Sequence, residues 1–132
     1  MLRLLRPSLT VSAHCDLPCG IYDPAQARIE AESVKMICQK YADNADPEFR
    51  TRAIVIKEER SELVKHHLWV LWTDYFKPPH FEKYPQLHQL FNEATKLAGA
   101  GGTKGSVDVG KADELLGKIE EISKIFWETK AA

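Results

Sequence analysis

A histidine and two cysteines stand close together near the start of the sequence, in the run from His14 to Cys19. Imidazole and thiolate groups are metal ligands, but structural zinc takes about four protein ligands, and no second cysteine pair accompanies this one. The third cysteine, Cys38, falls inside a predicted helix, where a small buried thiol is the ordinary outcome. A zinc site is therefore poorly supported.

A different set of metal ligands becomes available if the chain begins at His14. Its α-amine, with a pKa near ~7.7–8.0, then loses a proton at modest cost. This amine, the amide nitrogen of Cys15 and the thiolates of Cys15 and Cys19 form a two-nitrogen, two-sulfur set, and the His14 imidazole can approach from the axial direction. Planar sets of this kind favour Ni(II) or Cu(II). Pro18 and Gly20 suit the tight reversal that returns Cys19 to Cys15.

Residues 1–13 differ in composition from the rest of the chain. They hold Arg3 and Arg6 but none of the 19 acidic residues of a chain whose net charge is -1. A basic, partly apolar segment that ends in small residues is typical of a processed segment, although a frayed terminus is the simpler alternative. Because removal after Ala13 would free the amine that the metal set needs, we predict that residues 1–13 are a leader, removed on maturation, and that residues 14–132 are one domain.

The remainder of the sequence predicts four helices. The pairs Asp23-Pro24 and Asp46-Pro47 each combine an N-cap with a proline suited to the first helical position. The second helix should end near Tyr75, before two prolines, and Pro85 can start a third. A glycine-rich stretch at 99–105 is predicted to be a flexible linker before the fourth helix.

Short connections between four amphipathic helices predict an all-α fold, an antiparallel up-down-up-down four-helix bundle. Two charged residues interrupt the apolar stripes: Glu30 on the first helix and Arg60 on the second. Opposite charges on facing stripes suggest a pair. The alternatives are a purely structural ion pair or stripe edges at which long side chains reach water. The predicted stripe of the second helix consists of Phe49, Ala53, Ile56, Arg60, Leu63, His67 and Val70. That of the fourth helix consists of Ala112, Leu115, Ile119, Ile122, Phe126 and Thr129.

The composition limits the kinds of partner and the cellular location that we predict. A chain of 132 residues with 44% hydrophobic content suits one compact domain. The charge balance predicts no nucleic-acid partner, and no apolar run reaches the roughly 18–20 residues of a membrane span. Three cysteines do not describe a disulfide framework, which favours a reducing, cytoplasmic location. Organellar targeting by the leader stays open.

Four segments resemble the nickel-containing superoxide dismutase family: HCDLPCGIYDPAQARIEAESVK directly after the short leader, KEERSELVKHH, DYFKPPHFEKYPQLHQL and KIFWETK. The likeness covers almost all of residues 14–132, and the HCxxPCGxY hook, residues 14–22, is highly specific. It implies four-helix subunits, each with one nickel ion bound by His14, Cys15 and Cys19. Superoxide would be converted to dioxygen and hydrogen peroxide by Ni(II)/Ni(III) cycling, as an antioxidant defence.

The same resemblance implies roles for further residues and partners. Glu30 and Arg60 would lie behind the His14 ring, Tyr22 and Asp16 would line substrate access, and Tyr75 would support them by hydrogen bonding. A homohexamer is also implied. Removal of the predicted leader would need a processing protease, and delivery of nickel by a helper protein stays open. Two other interpretations remain: a non-enzymatic nickel or copper carrier with the same hook, and a structural bundle with incidental thiols.

Overall fold

The computed structural model describes residues 19–132, which form a helical bundle. The helices are α1 (Ala25–Asp43), α2 (Pro47–Val70), α3 (Pro78–Lys83), α4 (Leu87–Leu97) and α5 (Val109–Ala131). Helix α1 packs on α2 and α5, and α4 also packs on α2 and α5, so the four longer helices form a closed ring. This confirms the predicted four-helix bundle. None of the helices in the described part is long and apolar enough to cross a membrane.

Both predicted helix starts are present. The Asp46 carboxylate accepts a hydrogen bond of 3.1 Å from the Phe49 N–H, and Pro47 is the first residue of α2. The Asp23 carboxylate accepts one of 2.8 Å from the Ala25 N–H, although α1 begins one residue later than the Asp-Pro signal predicts. Each aspartate thus satisfies an N–H group that lacks a partner within its helix.

Two elements between α2 and α4 were not predicted. Residues Leu71–Tyr75 continue α2 as a π-helical turn, in which the Phe76 N–H donates to the Leu71 carbonyl at 3.0 Å. Such a turn holds one residue more than an α-helical turn. The prolines that end this segment then start the short helix α3, because proline at the first helical position has no N–H to leave unpaired.

The core-facing line of α2 differs from the predicted apolar stripe. Its centre is formed by Ala53, Lys57, Ser61, Val64 and Leu68, all buried, whereas Ile56 of the predicted stripe is 38% exposed. The predicted apolar stripe of α2 therefore lies beside the line of residues that actually faces the core. The reason is that two of the buried positions carry polar side chains, which an apolar periodicity does not count.

Lys57 explains how a polar side chain can occupy the core. Its side chain is 1% exposed, and its Nζ donates to the carbonyls of Thr103, Lys104 (3.2 Å) and Ser106 (2.7 Å). Ser61 Oγ lies 2.8 Å from Thr103 Oγ1, which adds a second tether. Burial lowers the pKa of Lys57, since it penalises the charged ammonium.

These contacts overturn the prediction of a flexible linker at 99–105. The loop is ordered against α2, with Gly102 and Thr103 buried. A Cβ atom at Gly102 would overlap the Leu97 carbonyl, so glycine is required there by close approach and not for flexibility. The loop is held in place by Lys57 and Ser61 of α2. The sequence of the loop itself gives no sign of these partners.

Candidate metal centre

The structure describes one of the three predicted metal ligands, Cys19. The positions of His14, Cys15 and Asp16 lie outside the described residues. The Cys19 thiol is exposed, and the next residue, Gly20, has a φ of +72°, a left-handed conformation that favours glycine. The Ile21 N–H points to Cys19 Sγ at 3.4 Å. The chain therefore bends back on the thiol directly after Cys19, whereas the predicted return of Cys19 to Cys15 lies outside the described residues.

The Cys19 thiol is bonded to the backbone of Ile21: it accepts from the Ile21 N–H at 3.4 Å and donates to the Ile21 carbonyl at 3.9 Å. A thiol must lose its proton to bind a metal. Cys38 is its opposite within the same chain: it is fully buried, and burial raises the pKa of its thiol. Among residues 19–132 no three histidine, cysteine or acidic side chains gather in a way that could hold a metal ion.

The structure brings Tyr22 and Tyr75 together at one end of the bundle. Their ring centroids are 5.6 Å apart, and the rings are tilted by 56°. The Tyr75 ring also lies 4.4 Å from Phe126 and stacks on His80 at 5.8 Å. Tyr22 is half-buried against this aromatic cluster, so the hook is attached to the bundle through the ring of Tyr22.

The hydroxyl of Tyr75 pairs with a residue that sequence reasoning did not assign to the site. Tyr75 Oη lies 2.7 Å from Thr129 Oγ1, and Thr129 Oγ1 donates to the Phe126 carbonyl at 2.6 Å. The available signal was the position of Thr129 at the end of the apolar stripe of α5, where a hydroxyl needs a partner. The predicted hydrogen-bonding support of Asp16 and Tyr22 by Tyr75 stays a prediction.

Glu30 and Arg60 form the ion pair that the sequence suggests. Arg60 Nη1 donates to both carboxylate oxygens of Glu30, at 3.2 and 3.1 Å, and so connects α2 to α1. The Glu30 side chain is 17% exposed and that of Arg60 41%. Both residues sit at the edges of their core stripes, and the pair is only partly shielded from water. Their relation to the His14 ring lies outside the described residues.

Comparison with known proteins identifies the family. The family described as nickel-containing superoxide dismutase matches residues 9–130. The chain belongs to this family. It is 65% identical over 130 residues to the superoxide dismutase [Ni] of Streptomyces coelicolor, and the match covers 98% of both chains. Family membership makes the chain an oxidoreductase that acts on superoxide with nickel as its cofactor.

Solved nickel superoxide dismutases share the fold. The native structure of one matches with a TM-score of 0.87 and 65% identity, over 90% of this chain and 100% of that chain. Another is a variant in which the histidine at position 1 is replaced by alanine. It matches with a TM-score of 0.80 and 63% identity, over 83% of this chain and 99% of that chain.

Proposed function

We propose that the chain disproportionates superoxide at a nickel ion held by His14, Cys15 and Cys19, at an N-terminus created by removal of residues 1–13. The observation that carries this proposal is the geometry of residues 19–21. The Cys19 thiol is exposed, Gly20 has a left-handed conformation, and the Ile21 N–H donates to the Cys19 sulfur. When bound, nickel supplies one-electron chemistry by cycling between Ni(II) and Ni(III), so that one superoxide leaves as dioxygen and a second, with two protons, as hydrogen peroxide.

The lengths of the matched chains support removal of the leader. The whole native solved chain corresponds to 90% of this one, about 119 of 132 residues, and about 13 are left over. That difference equals the length of the proposed leader. The variant that replaces a histidine at position 1 has a histidine where a chain beginning at His14 would have one. Removal matters chemically because, with residues 1–13 attached, the His14 nitrogen is part of a peptide bond and the amine of the proposed ligand set is missing.

Within this proposal the residues of the chain hold and orient the site. The Ile21 N–H donates to Cys19 Sγ, and the ring of Tyr22 packs against Tyr75, which fixes where the hook leaves the bundle. Tyr22 and Asp16 line the approach of superoxide. Local positive charge would aid capture of this small anion despite the overall charge of -1.

Glu30 and Arg60 would orient the His14 imidazole. Support comes from the pairing itself, because a carboxylate held by an arginine between two helices is a fixed acceptor for a ring N–H. Replacement of a partner that orients a metal ligand costs about 10–100-fold in metal affinity or activity. We expect Glu30→Gln to lower superoxide turnover by about that factor.

The matched control is the ion pair between Lys35 of α1 and Asp113 of α5, at 2.7 Å. Asp113→Asn breaks a similar interhelical pair, and turnover per bound nickel should not change. Equal losses in Glu30→Gln and Asp113→Asn, measured at equal folded fractions by circular dichroism, would make the Glu30–Arg60 pair purely structural.

We propose a cytoplasmic homohexamer, matured by a protease and loaded with the help of a nickel-delivery protein. Support for assembly comes from large apolar side chains that remain exposed on α1 and α2, since such surface is typical of interfaces. They are Ile29, Met36, Ile54, Val55, Ile56 and Trp69. Native mass spectrometry of the nickel-loaded chain from His14 tests the hexamer directly, and a monomer at micromolar concentration would refute it.

The deciding experiment on the ligand set compares two forms of the chain: protein that begins at His14, loaded with one nickel per chain, and the unprocessed chain treated identically. Superoxide decay is followed by pulse radiolysis and nickel content by mass spectrometry. We expect catalytic decay from the processed form alone. Equal activity of the unprocessed chain would show that the amine is not a ligand, and tight nickel binding without catalysis would favour a carrier.

A further inference from the structure

Helix α5 carries a groove on its exposed side, along its last three turns, which we call the α5 groove. An aromatic side chain, Trp127, lies in this groove and is 52% exposed. Tryptophan is enriched in interfaces, because its large ring offers apolar contact area to a partner. Three carboxylates and one ammonium give the groove a net charge of -2. The residues that line it together with Trp127 are Glu120, Glu121, Ser123, Lys124, Glu128 and Ala131.

Two glutamates of the α5 groove are open to a partner. Glu120 and Glu121 are exposed, and neither belongs to any of the ion pairs formed among residues 19–132. Glu128 differs from them, since its carboxylate accepts a hydrogen bond from the Tyr84 phenol. A cationic segment could therefore pair with Glu120 and Glu121 without displacing an ion-pair partner in the described part of the chain.

Three other grooves on the described surface have a different charge. The groove between α1 and α2 contains Lys40 and Arg52, and its described lining has no acidic side chain. The same holds for the groove between α2 and α4, which contains Lys65 and Lys96. In the third groove, at the start of α2, Glu48 is balanced by Arg52. Of these four surfaces of the described chain, only the α5 groove attracts positive charge.

The leader, residues 1–13, has the composition that fits the α5 groove. It carries Arg3 and Arg6 and no acidic residue, so its side chains have a charge of +2. Leucines stand next to both arginines in the sequence. A guanidinium group can pair with a carboxylate and stack on an indole ring, and a leucine side chain gains free energy by leaving water. Both kinds of side chain therefore have a counterpart in the groove.

The hook joins the bundle close to the α5 groove. The ring centroid of Tyr22 lies 5.6 Å from that of Tyr75. Tyr75 lies 4.4 Å from Phe126, whose ring in turn lies 4.9 Å from Trp127 in the groove. The chain from Arg6 to Tyr22 can extend over about 50 Å, since each residue spans about 3.3 Å. The leader is therefore long enough to reach the groove from the place where the hook is attached.

We propose that residues 1–13 bind to the α5 groove in the unprocessed chain, with the two arginines beside the exposed glutamates and the leucines against Trp127. Covalent attachment gives the leader a high effective concentration at the groove, so that weak contacts are enough to hold it. Cleavage after Ala13 removes this advantage, and the leader leaves. This inference rests on the proposed function in one respect, namely that residues 1–13 are a leader that is removed.

The first test uses the full chain with 5-fluorotryptophan in place of its three tryptophans. The ¹⁹F signal of Trp127 reports on the groove and is assigned by its absence in Trp127→Phe. We expect Arg3→Gln combined with Arg6→Gln to move this signal to the position that it has in the chain without the leader. High salt should move the wild-type signal in the same direction, because it screens exposed charges.

The second test adds a peptide of residues 1–13 to the chain without the leader and follows the same signal. We expect a saturable shift, and Glu120→Gln combined with Glu121→Gln should raise the dissociation constant about 2- to 30-fold, the range for two exposed ion pairs. The matched control, Glu48→Gln combined with Glu59→Gln, removes the same charge from exposed positions of α2. Helix α2 lies across the bundle from α5, so the dissociation constant should not change.

A Trp127 signal that is the same in the full chain with and without the two arginines would overturn the proposal. Equal weakening of peptide binding by the two pairs of glutamate substitutions would also overturn it, because attraction would then come from the overall charge and not from the groove. Neither test involves nickel or superoxide. Failure of the proposed function is therefore distinct, since it would appear as absence of superoxide decay by the nickel-loaded chain from His14.

Discussion

Helix α5 has a polar cluster near each of its ends, and the two clusters serve different purposes. Before its first turn, the ammonium of Lys57 is buried and bonded to three carbonyls of the preceding loop. Near its last turn, about 30 Å along the axis from Val109, Thr129 and Tyr75 lie beside Tyr22 of the hook. The hydrogen bonds of Lys57 fix the loop against the bundle, whereas the Cys19 thiol of the hook is exposed to solvent. Under the proposed function, stability and chemistry are thus assigned to opposite ends of the bundle.

The largest expected effect is at the hook. Cys19→Ser replaces the exposed thiol by a hydroxyl, which is a poor ligand for a metal that binds thiolates. We expect nickel binding and superoxide decay to be lost in the chain from His14. The urea unfolding midpoint should stay unchanged, because the Cys19 side chain is exposed and lies outside the buried core of the bundle.

Cys38→Ala provides the converse of this variant. It removes a fully buried sulfur from the interface of α1 and α5 and should lower the free energy of unfolding by about 1–2 kcal/mol without altering nickel content per folded chain. Nickel loss in Cys38→Ala, or full nickel retention in Cys19→Ser, would contradict the separation of the two regions.

Lys57→Met tests the opposite end of the bundle. The substitution keeps a long side chain but leaves three loop carbonyls without their donor, at a cost of about 3 kcal/mol in the free energy of unfolding. Urea unfolding measures this loss, and nickel per folded chain should remain at the wild-type value. The control is Lys124→Met on the exposed surface of α5, for which we expect no change.

Substitutions at two glycines, one in the hook and one in the loop at the other end of the bundle, should have smaller effects and test the same comparison. Gly20→Ala forces a Cβ into a left-handed conformation at φ +72°, which costs about 1–2 kcal/mol and should weaken nickel affinity by about 5- to 30-fold. Gly101, in the loop at the other end, has open space around its missing Cβ. Gly101→Ala should leave nickel affinity unchanged in a chelator competition, and equal losses in both variants would contradict the assignment of the turn at Gly20 to the hook.

The smallest expected effect concerns acid stability at the loop. The Lys104 ammonium bonds to the Glu62 carboxylate and lowers its pKa below the ordinary value of 4.5. This stabilisation is complete above that ordinary value and is lost as the pH falls through the lowered pKa of the folded state. Because the pair is exposed, it contributes at most about 1 kcal/mol.

Glu62→Gln removes the titrating group, so its melting temperature should lie slightly below that of the wild type at neutral pH. The two melting temperatures should converge at an acidic pH below the lowered pKa of Glu62, where both side chains are uncharged. A constant difference at both pH values would mean that the Glu62 charge does not contribute. Nickel binding at neutral pH should be the same in both proteins.

The parts of the fold that the sequence predicts are those encoded locally. Asp46 and Pro47 mark the start of α2 by their own backbone and side-chain chemistry. The start of α2 is thus encoded within a few residues. The ion pair of Glu30 and Arg60 is an exception, because its members are 30 residues apart. It could be predicted from opposite charges on two helices expected to face each other, although both residues lie at the edges of the buried lines.

The parts that could not be predicted depend on distant partners. Lys57 is buried only because carbonyls 46 and more residues away receive its hydrogen atoms, and a lysine on a helix otherwise indicates exposure. The order of the glycine-rich loop follows from the same contacts. Thr129 stood at the end of an apolar stripe, but nothing in the sequence pairs it with Tyr75, 54 residues earlier.

The π-helical turn at Leu71–Tyr75 sets the direction in which Tyr75 points. Such a turn takes one residue more than an α-helical turn to go once around the axis. If the same five residues were α-helical, Tyr75 would lie about 100° further around the axis. Its hydroxyl would then no longer meet Thr129 Oγ1, which lies 2.7 Å away in the π-helical form. The hydrogen bond between α5 and the end of α2 therefore depends on this one irregular turn.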